Sequence, residues 1–207
     1  MNKNLKLNTM KNILTSVLLF ATLIACKAQS PIVDIENKPY FTDTQENAYY
    51  KDINNFYNDF EGTWLATNGN KTLKIVLLKE TQLYTGKFYT DYVSGEYEYK
   101  ENGTTVINTL SNTNSNLIGI SASSLLKSNY KPPCNDCLPT KRRLSVIFSD
   151  NTRDMHGTLT LQLITVNGQP ALKGLLFGGN GTSYHINNPP AHLEMTVPTG
   201  WWTFIKQ

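Results

Sequence analysis

From Gly62 onward, apolar and polar residues alternate with a period of two, the spacing of a strand that buries one face. Leu73, Ile75 and Leu77 share a face within residues 72–79, and Val76 and Leu78 make the opposite face partly apolar. Residues 93–100 alternate cleanly, with Val93, Gly95, Tyr97 and Tyr99 on one side and Ser94, Glu96, Glu98 and Lys100 on the other. Leu144, Val146 and Phe148 repeat the pattern, as do Leu159, Leu161 and Leu163 within residues 156–165. Further strands are expected at 62–67, 104–109, 116–122, 171–177 and 201–206. Asn68-Gly69-Asn70, Glu101-Asn102-Gly103 and Val166-Asn167-Gly168 supply turn chemistry between neighbours. The sum is about eight or nine evenly spaced strands with no βαβ alternation and no repeat of 20–50 residues. An all-β domain follows, antiparallel and either closed as a barrel or packed as a sandwich.

Upstream the period changes. Asp43 and Glu46 are spaced as a capping box, and Tyr49, Ile53, Phe56, Tyr57 and Phe60 recur at helical spacing. Asn54-Asn55 interrupts that pattern, so residues 42–60 are expected to form a short helix or an irregular strap. Residues 26–41, with Pro31 and Pro39, are expected to be a flexible tether, and residues 42–207 a single β domain.

The first 25 residues stand apart. A basic start precedes an apolar run of about a dozen residues that ends in a small residue, the layout of a secretory signal and too short for the ~20 residues of a membrane span. Met1 and Met10 both suit a translation start. Lys3, Lys6 and Lys11 account for the whole formal charge of +3, because no carboxylate lies among those residues. The remainder is electroneutral, which argues against a nucleic-acid binder. A chain with 40% hydrophobic and 11% aromatic residues has enough apolar material for a core.

Leu23-Ile24-Ala25-Cys26 resembles the bacterial lipobox. That resemblance implies that the Cys26 thiol carries diacylglycerol and becomes the mature N-terminus, an anchor of two or more acyl chains such as palmitate. Lys27 stands where an inner-membrane retention Asp would be, which favours the outer membrane. With no dense acidic run after Cys26, the periplasmic face is preferred and the cell surface is the alternative. In such an oxidising compartment Cys134 and Cys137, flanked by prolines, read as a structural disulfide rather than a redox dithiol or half a zinc site.

Glu61-Gly62-Thr63-Trp64 resembles the G-x-W signature of lipocalin-type barrels. The resemblance implies a tryptophan that plugs the closed end beneath a ligand cavity, with an Arg stacked on it. No Arg is assigned to that role; by type Arg142, Arg143 and Arg153 qualify. More widely, Cys26-Lys-Ala-Gln29, residues 48–55, the Trp64 segment and Ile205-Lys-Gln207 resemble a family of small lipoproteins of Bacteroidota-type bacteria known as a domain of unknown function. That likeness implies lipidation and a single domain, and no activity.

Candidate chemistry is sparse. Ser124-Leu-Leu-Lys127 and Ser149-Asp150-Asn151 imitate two penicillin-recognising motifs without the helix that would present the serine. His185, His192 and Glu194 lie around an Asn/Pro loop without the tight spacing of a zinc site. The reading therefore assigns no catalytic residue, no metal and no cofactor. The aromatics Trp64, Tyr97, Tyr99, Trp201 and Trp202 are candidates for ligand contact or for the core, and of the adjacent pair Trp201-Trp202 one is expected inside and one outside. The leading expectation is a lipid-anchored, non-enzymatic module that binds a small apolar ligand inside the barrel. The alternatives are a surface binder of protein or glycan, and a hydrolase with a dispersed site. An open apolar interior would favour the first, and a filled one the second.

Overall fold

The computed structural model describes residues 30–111, 119–126, 141–178 and 191–207. One compact unit spans Ile32–Gln207. The chain runs through β1 (Ile32–Asp34), β2 (Tyr49–Lys51), β3 (Gly62–Asn68), β4 (Lys71–Tyr84), β5 (Tyr89–Glu101), β6 (Thr104–Asn108), β7 (Ile120–Leu126), β8 (Arg143–Asp150), β9 (Met155–Val166), β10 (Gln169–Gly178) and β11 (Gly200–Lys206). Strands β3, β4, β5, β7, β8, β9, β10 and β11 close an eight-stranded antiparallel barrel. Successive barrel strands are neighbours throughout, and β11 returns to β3 with Phe204 opposite Ala66. The seam between β5 and β7 is registered at Gly95 and Ile120. The remaining outer edge of β5 is shared, parallel to β2 at Tyr49–Tyr89 and antiparallel to β6 at Glu98–Asn108.

The period-two reading of residues 62–206 thus describes the barrel, and the choice between barrel and sandwich falls to the barrel. The turns explain its tight hairpins. Asn102-Gly103 and Asn167-Gly168 both take two consecutive positive φ angles (51° and 76°, 50° and 79°), the primed turn whose twist matches the flanking strands.

Inward positions pack into one apolar cluster that includes Trp64, Leu73, Ile75, Tyr97, Tyr99, Phe148, Leu161, Trp202 and Phe204. Each such side chain contributes about 1.5–3 kcal/mol by leaving water. The largest of them, Trp64, Tyr97, Tyr99, Phe148 and Phe204, are at most 1% exposed, so a water-sized sphere finds no room against them. Tyr97 and Phe148 stack across the interior at 4.3 Å between ring centroids. Gly174 makes space for this filling, because a Cβ there would stand 2.8 Å from the Phe204 ring.

The structure corrects the N-terminal expectations. Residues 32–34 are not tether but a strand paired with β2. The helix expected from Asp43 does not form: residues 41–60 hold two single-turn 3-10 segments, Phe41–Asp43 and Phe56–Asp59, with β2 between them. Asn47 and Asn55 sit at φ of 58° and 56°, left-handed values that stop helix propagation on either side of Tyr50. The strap is therefore the alternative that holds. Parallel strands of three residues, such as β1 and β2, are too short to leave a periodic signal. Cys26, and Cys134 with Cys137, lie outside the described residues. Among the described residues no helix is long and apolar enough to cross a membrane.

Candidate functional site

Two buried carboxylates build the strap onto the end of the barrel where β3 begins. Asp91 accepts hydrogen bonds from Tyr49 Oη (2.5 Å), the Asp52 amide (2.9 Å) and the Gln82 amide (3.1 Å). Gln82 has a left-handed φ of 56° in the bulge of β4, so Asp91 ties that bulge to β2. Asp52 in turn accepts from the Phe56 and Tyr57 amides at 2.8 and 2.9 Å, satisfying the start of the Phe56–Asp59 turn. The same carboxylate pairs with Lys79 Nζ at 3.1 Å, and Lys79 also donates to Asn58 Oδ1 at 2.7 Å. The strap ends at Phe60, whose carbonyl accepts from Trp64 Nε1 at 2.8 Å.

Burial, and secondarily the Asp91 carboxylate, raises the Tyr49 hydroxyl above its ordinary value near 10. Tyr97 is raised by burial as well, then by Asp150 and Glu96. The folded protein therefore keeps protons that the unfolded chain releases above pH 10.0, so their contribution is complete below that pH and is lost as the pH rises beyond it. Urea midpoints should fall above pH 10.0, and more gradually in Tyr49→Phe than in the parent chain.

Against this strap lies a groove of about 550 Å³, lined by Asn54, Phe56, Asn58, Lys141, Arg142 and Leu163 among others. It shares Asn58, Asp59, Lys141 and Leu163 with a hollow of about 340 Å³ that reaches Trp64, Thr165 and Lys206. Arg142 is engaged on both sides, through its Nε to Glu36 and by its guanidinium over the Phe56 ring at 5.4 Å. Lys141 and Lys206 have no ion-pair partner among the described residues. Amide groups, an aromatic ring and Lys141 thus line the groove, with Lys206 in the adjoining hollow and the Asp59 carboxylate bordering both, a combination of donors, acceptors and charge suited to a hydroxyl-rich ligand.

Of the aromatic candidates, Trp64, Tyr97, Tyr99 and Trp202 belong to the core, and only Trp64 also borders the groove. Trp202 is buried and its neighbour Trp201 is 46% exposed, the split that alternation along a strand requires. Trp201 lies on the barrel exterior beneath Lys173 Nζ, 5.1 Å from its ring, away from the groove residues. The cation over Trp64 is Lys206 of β11, at 5.0 Å, and not an Arg. Arg142 covers Phe56 instead, Arg153 donates to the Glu194 carbonyl at 2.7 Å, and Arg143 is buried on β8 with its charged form disfavoured by desolvation. Lys206 shares the inward phase of Trp202 and Phe204, the sequence signal that would have found it. The groove itself carried no such signal, because its residues come from four separated stretches of chain.

Ser149-Asp150 closes β8 structurally. The Asp150 carboxylate accepts from the Thr152 and Thr196 amides at 3.1 and 2.6 Å, and the Ser149 carbonyl accepts from Tyr97 Oη at 3.0 Å. A second hollow, about 460 Å³, lies outside β4 and β5, where Ser94 donates to Glu80 and the Gly119 amide to Glu96.

Fold and site together define a class: a closed meander barrel with a side-chain-filled interior and a polar groove at one end. The chain belongs to a family of unknown function, DUF6705, whose model matches residues 10–207. No curated protein and no solved structure matches it.

Proposed function

We propose that the protein is a lipid-anchored binding module of the bacterial envelope, tethered to the outer membrane through Cys26 and facing the periplasm. On this reading its ligand meets the end groove rather than the barrel interior. The observation that carries the proposal is the contrast between the two spaces. The interior is packed around Trp64, Tyr97, Phe148 and Phe204, whereas the groove is open and amide-lined, with two lysines, Lys141 and, in the adjoining hollow, Lys206, set against the one carboxylate of Asp59. A small apolar ligand needs an unfilled apolar pocket, so the packing speaks for the surface-binding alternative. With Asn54 Nδ2 donating to Asp34 and Asn58 Oδ1 accepting from Lys79, Asn54 Oδ1 and Asn58 Nδ2 remain to meet sugar hydroxyls, and Lys141 and Lys206 offer charge to a carboxylate or phosphate. The class favoured is an acidic saccharide of the envelope.

Titration with a hexuronic-acid oligosaccharide, a neutral oligosaccharide of equal length and a fluorescent fatty acid distinguishes the readings. The acidic saccharide should bind saturably, and the Lys141→Ala/Lys206→Ala variant should bind it at least roughly tenfold more weakly, the scale of one to two lost charge-assisted contacts. Fatty-acid binding that this variant leaves intact, with no saccharide binding, would return the function to the barrel interior. Independently, Cys26→Ser should lose metabolic lipid labelling.

A further inference from the structure

The corner of the molecule nearest the N-terminal segment carries a surface that neither the barrel nor the groove uses. Ile32, Tyr49, Tyr89 and Tyr84 stand in register across β1, β2, β5 and β4, and so share one face of the sheet. The two ends of this row are open, Ile32 at 61% and Tyr84 at 52% exposure. On the other side of the same β4–β5 tip, Phe41 packs on Phe88 with ring centroids 5.6 Å apart and remains 60% exposed. Tyr40 beside it is 86% exposed. The placement is built: Lys87 Nζ donates to the Phe41 and Thr42 carbonyls at 3.2 and 3.0 Å, holding the Phe41–Asp43 turn onto the tip. Lys38 and Lys87 lie 5.9 and 5.7 Å from the Phe88 and Phe41 rings. Large apolar side chains, two exposed or half-exposed aromatic hydroxyls and flanking lysine stems are the chemistry of a bilayer's headgroup region, where amphipathic rings and snorkelling lysines are stable.

The length of chain between this corner and Cys26 decides which occupant fits. Six peptide steps separate Cys26 from Ile32. At full extension they span at most about 22 Å. The aromatic row runs from Ile32 to Tyr84 over three strand spacings, about 15 Å. Acylation of Cys26 therefore confines this corner to the immediate neighbourhood of the lipid. We infer that the tip bearing Tyr40, Phe41 and Tyr84, with Ile32 at its edge, rests in the membrane interface and sets the orientation of the barrel. The inference depends on the anchor proposed above.

Hydrogen exchange on the full acylated chain, in vesicles of phosphatidylethanolamine and phosphatidylglycerol and against the Cys26→Ser chain in solution, tests it. Amides in peptides covering residues 37–43 and 80–90 should exchange several-fold more slowly on the vesicle, while those covering 200–207 keep their solution rates. In a Tyr40→Ser/Phe41→Ser variant, which changes only exposed or half-exposed side chains, the vesicle protection at 80–90 should disappear although the chain stays bound. Lipid on Cys26 by intact mass with no protection at the tip, or with protection at 173–178 instead, would overturn the interface alone. Equal protection of the tip in lipid-free solution would assign it to a second copy of the chain and overturn it too. Absence of lipid on Cys26 would refute the anchor, and the inference with it.

Discussion

Asp52→Ala should lower the free energy of unfolding by about 3–5 kcal/mol, measured as a shift of the urea midpoint at unchanged slope. Asp52 is fully buried at its side chain and Lys79 nearly so, at 0% and 11% exposure. Deleting the carboxylate leaves the ammonium group with only Asn58 Oδ1 at 2.7 Å and orphans the Phe56 and Tyr57 amides. The loss is large because a charge and two donors are stranded away from water, not because an ion pair in itself adds much. Asp52→Asn keeps an acceptor for one amide and should fall between the parent and the alanine variant. Because Asp52 holds the strap that carries Asn54 and Asn58, the alanine variant should also bind the saccharide more weakly in the absence of denaturant. Retention of full stability in Asp52→Ala would show that the strap is not held by this carboxylate.

Trp64→Ala should cost a similar amount, about 3–5 kcal/mol, through a different mechanism. The indole is fully buried at the start of β3, opposite Ile75 of β4 and Lys206 of β11. Its removal opens a void that neighbouring strands cannot collapse into without breaking the barrel ladder. It also leaves the Phe60 carbonyl without its donor and Lys206 without a ring beneath it. Trp64→Phe keeps most of the apolar volume and should cost roughly 1–2 kcal/mol, the share of the lost hydrogen bond and part of the ring. If the alanine and phenylalanine variants unfold at the same midpoint, the packing argument for this end of the barrel fails.

The barrel was legible because each of its strands buries one face. Leu73, Ile75 and Leu77, or Leu159 and Leu161, state their phase in the sequence alone, and Asn167-Gly168 states the turn. The strap was less legible, since 3-10 turns and short strands leave no period, and Tyr49, Phe56 and Tyr57 fell at helical spacing by chance. What sets its path is pairing over distance, Asp52 with Lys79 and Asp91 with Tyr49, which one-dimensional pattern does not record. The groove was least legible. Lys141 and Lys206 read separately as ordinary surface cations, and only the folded barrel brings the end of β11 and the segment before β8, separated by two strands in the sheet, to one hollow. The arginine that the G-x-W resemblance implied is absent from Trp64, where the last strand places the lysine Lys206 instead.

The divided outer edge of β5 has a mechanical consequence. Along its 13 residues this strand hands the hydrogen bonds of that edge in turn to β2, β7 and β6, while toward β4 on its other side Gly95 lies so close that a Cβ would stand 2.3 Å from the Val76 carbonyl oxygen. The strand is thus a common spine: the strap at one end and the joint where the cylinder shuts hang on the same 13 residues.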